Sequence, residues 1–574
     1  MQKTISLWKI LIQSSFVYIW CTNLIETDSF YSLYLLCTAI GFICIFNNAK
    51  TSHCVLCKTT VALMVVSFLF SLSTIAANYI LFQPYTVLLN ILNLFLSLIG
   101  GWILAWNILL FTVTHFPICM QPEENQTSPS LWFLISFTVI LIINLANLFL
   151  CKYPGVAPKD TISQIYQLSG LQPYSNWTPY WHTITIKFFY DIGFILFNDV
   201  NAAIATYSVA QVLFASACFA YVLVTLYQMK YPKAVLGAVF FLYAFLPYNI
   251  IFTITIGKDN LFGLGLLLML TAFWRLVNKI GKSKALNLLF FTLGSLGFSL
   301  WRTNGWFVYV LFIIISLPFL WKNHRNILII SALVIFSSWS LLNPFLDKRE
   351  IENGSITETM AVPFQQIARI IVNERTLTEE EFNMLSEIFD LEKTKELYTP
   401  MRVDPVKFYA FRSNKTDYFL DHIYDYGKLW LKLGIKYPTD YWEAWIDETK
   451  GFWHGGYDMG VYDKSFPEND LGIENMSENG LFAKIFLQYF RLFERPDYLQ
   501  FFKSIGFVVW IIAVCFIVNL TKKRTATLSI IPVLIIILSL CIGTPVYAEF
   551  RYAYPVFIVS PLILFTTMVD VTPE

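Results

Sequence analysis

One carboxylate and three cations carry most of the chemistry that this sequence offers. Asp160 follows an apolar run at residues 131–150, and Lys258, Arg302 and Arg551 each lie at the end of another apolar run. A carboxylate within hydrogen-bond reach of a hydroxyl can act as a general base. Arginine and lysine can hold a phosphate group. These residue types therefore suit the transfer of a group from a phosphate carrier to a hydroxyl.

The stretch around Asp160 is polar and rich in turns. Residues 151–182 read CKYPGVAPKDTISQIYQLSGLQPYSNWTPYWH. Pro154 and Pro158 end the preceding helix, and Asp160 occupies the position expected of the N-cap of the next one. Residues 179–197 are amphipathic and aromatic, which predicts a helix lying in a membrane interface. An N-cap alone is the alternative role for Asp160.

An apolar helix followed by a loop with an acidic residue and two juxtamembrane helices resembles the first external loop of the GT-C membrane glycosyltransferases. The order PG…D…Q…G…PYSNWTP…H also resembles an uncharacterised GT-C-like family of Gram-positive bacteria, over residues 131–574. The resemblance implies a GT-C-like helical bundle with juxtamembrane helices in the first core loop. It further implies that Asp160 is the catalytic base, that the donor is a sugar on a polyprenyl phosphate, and that the anomeric carbon inverts.

Composition predicts a membrane protein. Of the 574 residues, 56% are hydrophobic and 14% are charged, whereas soluble domains have about 25% charged residues. Apolar runs near 20 residues recur along the chain and predict an all-α polytopic protein with about 14 transmembrane helices. The predicted spans are 5–25, 30–48, 59–83, 86–112, 131–150, 200–227, 233–255, 259–278, 285–301, 305–321, 326–345, 503–520, 526–543 and 552–569. A net charge of +1 gives no basic excess for nucleic acid.

Lysine and arginine cluster at alternate ends of the predicted spans, as the positive-inside rule requires, except in the loop 113–130, which has neither. This pattern predicts that both termini are cytoplasmic, in a bacterial plasma membrane by the resemblance, and that no signal peptide is cleaved. The loop with Asp160, residues 257–260, residues 301–305 and residues 544–551 then share the external face. We expect these segments to form one external site.

The spans divide the chain into four regions. Residues 1–112 are predicted to be added transmembrane helices, and residues 131–345 a GT-C-like core that carries the external catalytic loop 151–199. Residues 346–502 are predicted to form a mixed external domain, and residues 503–574 the C-terminal transmembrane helices.

The external segment contains one clear helix signal. Thr378 and Glu381 fit a capping box at the start of a helical pattern that runs to Leu397. The acidic residues between Glu468 and Glu474 lack the glycine that an EF-hand requires, which favours a solvated loop over a calcium site.

The sequence places three cations where a carrier phosphate could bind. Arg302 is the first candidate, because Trp301 and Trp306 flank it as interface anchors. Lys258 and Arg551 are further donor-phosphate candidates. Each has an alternative role, since Arg302 can snorkel to the interface, and the other two cations have acidic neighbours in sequence.

Other residues are candidates for contact with the substrate. Tryptophan rings near Asp160 can stack on a sugar or an isoprenoid, and the remaining side chains are polar groups close to the cations. The candidates are His182, Trp177, Trp181, Asp259, Asn304 and Glu549. A structural role is the alternative for His182, and local ion pairs are the alternative for Asp259 and Glu549.

Nothing in the sequence predicts a cofactor or a metal. Cys54 and Cys57 form a CxxC pair with no second pair nearby, and a zinc site needs more ligands. None of the ten cysteines lies in the long polar region between Asp347 and Lys503, so that region is not a disulfide scaffold. GT-C enzymes that use a metal carry paired acidic residues, whereas Asp160 follows Lys159.

These observations predict a glycosyltransferase that moves a sugar from a polyprenyl-phosphate carrier to a cell-envelope glycan or lipid acceptor, within a lipid bilayer. A transporter or flippase for a lipid-linked saccharide is one alternative. Transporters tend to show internal repeats and broken helices with charges near the midplane, and no repeat is visible here. A non-catalytic envelope assembly protein, which would tolerate loss of Asp160, is the other alternative.

Overall fold

The structure of the protein is a computed structural model that describes residues 7–24, 36, 38–43, 56–82, 86–120, 128–354, 356–411, 415–455, 465–475, 480–494, 503–522, 524–543 and 545–571. The described residues are predominantly helical. The first helices are α1 (Leu7–Leu24), α2 (Leu56–Ala77), α3 (Val87–His115), α4 (Pro129–Cys151), α5 (Lys159–Leu168), α6 (Tyr180–Phe197) and α7 (Val200–Gln228).

The middle of the chain continues as helices of varied length. They are α8 (Lys233–Phe245), α9 (Pro247–Ile254), α10 (Lys258–Val277), α11 (Lys284–Leu300), α12 (Gly305–Leu320), α13 (Arg325–Leu342), α14 (Pro344–Lys348), α15 (Ala361–Val372), α16 (Glu379–Ile388), α17 (Leu391–Leu397), α18 (Asp404–Phe411) and α19 (Lys415–Asp421).

The last helices are α20 (Ile423–Lys436), α21 (Pro438–Trp453), α22 (Leu481–Glu494), α23 (Ile505–Thr521), α24 (Ala526–Ile542) and α25 (Phe550–Met568). The short strands are β1 (Ile118–Met120), β2 (Ser175–Asn176), β3 (Glu352–Asn353) and β4 (Val569–Val571). Strands β2 and β3 pair in parallel, with Ser175 opposite Glu352.

Among the described residues, six helical segments are long and apolar enough to cross a membrane, or seven if the bent pair α8–α9 is one span. The six are α3, α4, α7, α10, the segment Arg325–Lys348 and α25. The prediction of an all-α polytopic membrane protein is therefore confirmed.

The predicted number of about 14 spans is wrong. Helices α11, α12, α23 and α24 are apolar, yet they have only 16 or 17 residues each. At about 1.5 Å per residue they reach roughly 24–26 Å, less than the ~30 Å of a bilayer's hydrocarbon core. The predicted span 30–48 lies largely outside the described residues, as do Cys54 and the side chain of Cys57.

The chain divides into two compact units. The smaller consists of Met1–Cys119, Val509–Thr527 and Thr566–Asp570, and the larger of Met120–Val508, Leu528–Phe565 and Val571–Glu574. Every candidate site residue belongs to the larger unit.

Helices α8 and α9 meet at an angle of 50°. Pro247 occupies the first turn of α9, where its missing N–H costs no helical hydrogen bond. The carbonyl groups at the end of α9 are held by one side chain, because Gln211 Nε2 donates to Thr253 O at 2.8 Å and to Thr255 O at 2.9 Å. At the break itself, Asn249 Nδ2 donates to Leu242 O at 2.8 Å, so both ends of α9 are fixed by side chains.

Glycines bring α10 and α11 into close contact. A Cβ atom on Gly265 would lie 2.8 Å from the backbone nitrogen of Phe298, and one on Gly294 would lie 2.5 Å from that of Met269. Small residues at such positions let two helix backbones approach within a membrane. The contact brings the end of α11, and Arg302 after it, beside the first turn of α10.

The polar segment after the span Arg325–Lys348 is helical. Helices α15 to α21 pack around an apolar core of their own, which includes Phe364, Phe389 and Leu433. The predicted capping box is confirmed, since Thr378 and Glu381 exchange both hydrogen bonds. The single helix predicted through Leu397 is divided in two, because Asp390 caps a new helix.

Candidate functional site

The loop that carries Asp160 is fastened to the chain just before α10. Val156 N donates to Ile254 O at 3.1 Å, and Ile256 N donates to Val156 O at 2.7 Å. Gly155 has φ +140°, and a Cβ atom there would lie 2.5 Å from Ser208 Oγ, so only glycine fits. This pairing brings the start of α5 next to the start of α10.

Asp160 lies in the first turn of α5, and the prediction that it is the N-cap is wrong. Pro158 occupies the N-cap position, and no side chain caps this helix. The carboxylate is thus available for partners elsewhere in the fold. The positive end of the helix dipole still stabilises its negative charge.

Two cations approach the same oxygen of Asp160. Arg551 Nη1 donates to Asp160 Oδ2 at 3.1 Å, and Lys258 Nζ lies 3.4 Å from that atom. In the described part of the chain, no hydrogen bond reaches Oδ1, and the side chain is 36% exposed. One oxygen is therefore held, and the other is open to a ligand.

The two cations keep Asp160 ionised. Partial burial opposes ionisation, but the positive charges of Lys258 and Arg551 outweigh it and lower the pKa of Asp160. The carboxylate is consequently negative at neutral pH and available to accept a proton.

Aromatic packing positions Arg551. It lies in the first turn of α25, where the ring of Tyr554 stacks on that of Phe252 with centroids 4.6 Å apart. Tyr554 Oη also donates to Asn249 Oδ1 at 3.3 Å. Both partners lie on α9, whose last residue, Ile254, holds the Asp160 loop, so one helix positions both the loop and the arginine.

Arg302 is paired with Asp259 and not with Asp160. Their side chains are 8% and 5% exposed, and Nη1 lies 2.7 Å from Oδ1 without hydrogen-bond alignment. The guanidinium also lies over the ring of Phe262, 5.6 Å from its centroid. The predicted alternative, a pair between Lys258 and Asp259, is not what forms.

Tyr552 joins the two ion-pair groups, and the sequence analysis missed it. The guanidinium carbons of Arg551 and Arg302 lie 4.8 and 5.0 Å from the centroid of its ring. Arg551 Nη2 also donates to Tyr552 Oη at 3.2 Å. Its position directly after Arg551 could have indicated this contact, because arginine side chains often pack against aromatic rings.

His182 is buried in a chain of polar side chains. It is fully buried, its Nδ1 lies 3.0 Å from Gln164 Oε1, and its Nε2 lies 3.3 Å from Tyr207 Oη. Burial and then the positive charge of Lys258 lower the pKa of His182 to about 3. The imidazole is therefore neutral, and it braces α5 against α6 and α7. Gln164, four residues after Asp160, was also missed.

The remaining candidates lie in different surroundings. Trp177 is 51% exposed, whereas Trp181 donates from Nε1 to Leu341 O at 3.2 Å. Glu549 Oε1 lies 3.6 Å from Arg551 Nε, as the local-pair alternative predicted. Asn304 begins α12, and its buried Oδ1 has no hydrogen-bond partner among the described residues.

The predicted convergence is confirmed for the charged residues. The loop of Asp160, the start of α10, the turn after α11 and the start of α25 meet through the contacts above. Among the described residues, no group of three or more His, Cys, Asp or Glu side chains is arranged to hold a metal ion.

Residues 175–572 match DUF6020, a family of unknown function. The chain belongs to this family. No curated protein and no solved structure matches it significantly. The cations and Asp259 fall within the part that matches DUF6020, and Asp160 precedes it.

Proposed function

We propose that this DUF6020 protein is a GT-C-type membrane glycosyltransferase that takes its sugar from a polyprenyl-phosphate carrier. The observation that supports the proposal most is the half-engaged carboxylate of Asp160. Two cations that suit a phosphate lie on its Oδ2, and its Oδ1 is open. The acceptor would be a hydroxyl of a cell-envelope glycan or lipid on the external face.

In the proposed reaction the acceptor hydroxyl donates a hydrogen bond to Asp160 Oδ1. Its oxygen bonds to the anomeric carbon of the donor sugar while the bond from that carbon to the phosphate oxygen breaks. The hydroxyl proton moves to Asp160, and polyprenyl phosphate leaves as an anion. Direct displacement inverts the anomeric carbon.

Lys258 and Arg551 take the donor phosphate in this mechanism. Both already lie at the carboxylate, and the negative charge that grows on the leaving phosphate attracts them. Arg302 has a supporting part, because Asp259 neutralises it and Tyr552 separates it from Arg551. The indole of Trp177 is exposed and could stack on a sugar or on the carrier.

The bent helix pair α8–α9 favours a second candidate, a transporter for a lipid-linked saccharide, since transporters use broken helices. Asn249 Nδ2 donates to Leu242 O at 2.8 Å across the break, and Gln211 holds the carbonyl groups at the far end of α9, which argues for a rigid scaffold instead of a gate.

A reconstitution experiment tests the proposal. Full-length protein in liposomes is given a panel of radiolabelled polyprenyl-phosphate sugars together with an envelope glycan and glycolipid fraction. We expect release of polyprenyl phosphate and a labelled acceptor. Movement of intact carrier between leaflets, with no release of the phosphate, would establish the transporter instead.

A further inference from the structure

A basic cavity lies at the end of α10 opposite to Lys258. Its volume is about 240 Å³, far more than one water molecule requires. Five of its fourteen lining residues are Lys or Arg, namely Arg275, Lys279, Lys282, Lys284 and Arg325, and none is acidic. The 20 residues of α10 span about 30 Å, so this cavity is distinct from the candidate catalytic site.

Arg275 is the buried cation of the cavity. It is 7% exposed, and its Nε and Nη1 donate to Asn287 Oδ1 and Thr225 Oγ1, both at 2.9 Å. These partners are neutral, and no carboxylate in the described part of the chain pairs with Arg275. The remaining nitrogen, Nη2, lies beside Gly281, and a Cβ atom on that glycine would lie 2.4 Å from Nη2. The guanidinium also lies 5.0 Å from the centroid of the Tyr221 ring, but a ring is not a counter-ion. A buried charge without a counter-ion is costly, and an anion in the cavity would reduce that cost.

Two helices add to the positive potential. Helices α11 and α13 begin at Lys284 and Arg325, so the positive ends of both dipoles border the cavity. Burial, followed by the charges of Lys279 and Lys284, lowers the pKa of His324. The two lysine charges act in the same direction as burial.

Two ordinary explanations cover part of this arrangement. Lysines at the end of a span set its orientation, and Arg275 complements the negative end of the α10 dipole. Neither explanation requires a cavity, nor a guanidinium that is buried beside a glycine at φ +83°.

We infer that this cavity binds a phosphate group, carried either by an anionic phospholipid headgroup or by a soluble phosphate compound. Arg275 would meet the phosphate at the base of the cavity, and the exposed lysines would close around it. The inference does not depend on sugar transfer, because the site shares no residue with the one around Asp160.

The test uses full-length protein in phosphatidylcholine nanodiscs. Phosphatidylglycerol is titrated in one arm, inorganic pyrophosphate in a second, and chloride at matched ionic strength in a third. Binding is followed by native mass spectrometry and by the shift of the thermal unfolding midpoint. We expect saturable binding of at least one phosphate carrier. Saturable binding of phosphatidylglycerol would identify a lipid headgroup as the source of the phosphate, and saturable binding of pyrophosphate would identify a soluble compound.

Two double variants make the test specific. Lys279→Gln/Lys282→Gln removes cations from the rim of the cavity, and Lys230→Gln/Lys322→Gln removes exposed lysines that do not line it. We expect the rim pair to weaken binding about tenfold or more and the second pair to leave it unchanged. Equal losses in both pairs, unchanged binding in the rim pair, or no saturable binding of either phosphate carrier would overturn the inference.

Discussion

Arg551 donates a hydrogen bond from Nη1 to Asp160 Oδ2 at 3.1 Å, across 391 positions of sequence. This contact makes the last long apolar helix a part of the site that the first core loop begins. It also defines the state of the carboxylate, which is ionised and held on one side only.

The first prediction concerns the base. Asp160→Asn keeps the size of the side chain but cannot take the acceptor proton, and loss of a general base costs roughly 100- to 10,000-fold in rate. We expect that loss in a transfer assay, with the variant still folded, because Asp160 does not cap its helix. Asp191→Asn is the control, since Asp191 is a 47% exposed carboxylate with its own lysine partner. Near-normal transfer by Asp160→Asn would remove Asp160 from the mechanism.

The second prediction is a pH–rate profile. Because the pKa of Asp160 is lowered, the base stays ionised at neutral pH, and transfer should fall only below about pH 4, the ordinary range of aspartate. In Lys258→Gln one positive charge is lost, so the pKa rises and the acid limb of the residual activity moves to higher pH. An acid limb that does not move would show that Asp160 is not the titrating base.

The same profile tests His182. Its pKa of about 3 keeps the imidazole neutral across the physiological range, so no inflection near pH 6.5 should come from it. An inflection there that disappears in His182→Asn would contradict the structural role.

Much of the site could be predicted because charged residues are rare in an apolar chain. Asp160, Lys258 and Arg551 stand out at the ends of apolar runs, and the positive-inside pattern is enough to put them on one face. Partner choice could not be predicted in this way. Adjacent residues Lys258 and Asp259 point to different partners, since successive side chains on a helix face different directions.

The number of spans was the least accurate prediction. The predicted spans 285–301 and 305–321 nearly coincide with α11 and α12, which Ser283 and Asn304 precede as N-cap residues. The error was therefore to count such short apolar runs as spans, and not to misplace their ends. Pro158 displaces Asp160 from the N-cap by two positions, a shift well within the usual uncertainty of a helix end.

The third prediction separates structure from catalysis at Arg302. Arg302→Ala leaves Asp259 buried without a partner, and breaking such a pair costs roughly 3–5 kcal/mol. We expect a clear fall in the thermal unfolding midpoint in nanodiscs. The double variant Arg302→Gln/Asp259→Asn should recover much of it, because no unpaired charge is left. A normal midpoint in Arg302→Ala, together with a weakened donor titration, would instead make Arg302 the phosphate clamp.

The fourth prediction uses Glu448 on α21. Its side chain is fully buried, which raises its pKa well above the ordinary value, although the backbone of Val403 favours the ionised form. The folded state thus holds a proton that the unfolded state loses above about pH 4.3, and stability falls as pH rises from there towards the folded pKa. Glu448→Gln should remove this dependence and raise stability at pH 7 by about 1 kcal/mol or more. Glu387→Gln replaces an exposed glutamate and should change neither the pH dependence nor the stability at pH 7. An equal response in both variants would contradict the prediction.

The last prediction assigns the donor phosphate. Arg551 now contacts Asp160 and the hydroxyl of Tyr552, and a phosphate between Arg551 and Lys258 would add charge-assisted hydrogen bonds of roughly 1.5–3 kcal/mol each. Arg551→Gln keeps hydrogen-bonding capacity but loses the charge. We therefore expect the donor concentration at half-saturation to rise about tenfold or more, with a smaller change for the acceptor.

Lys187→Gln is the matched control for this experiment. Lys187 is a partly exposed cation on α6 that pairs with Asp191 at 2.8 Å, away from Asp160. Its loss should leave the donor titration unchanged. If Arg551→Gln instead changes only the acceptor titration, the guanidinium orients Asp160 and does not hold the phosphate. In that case Lys258 would hold the phosphate, and Lys258→Gln, which removes the other cation at Oδ2, should by itself raise the donor concentration at half-saturation.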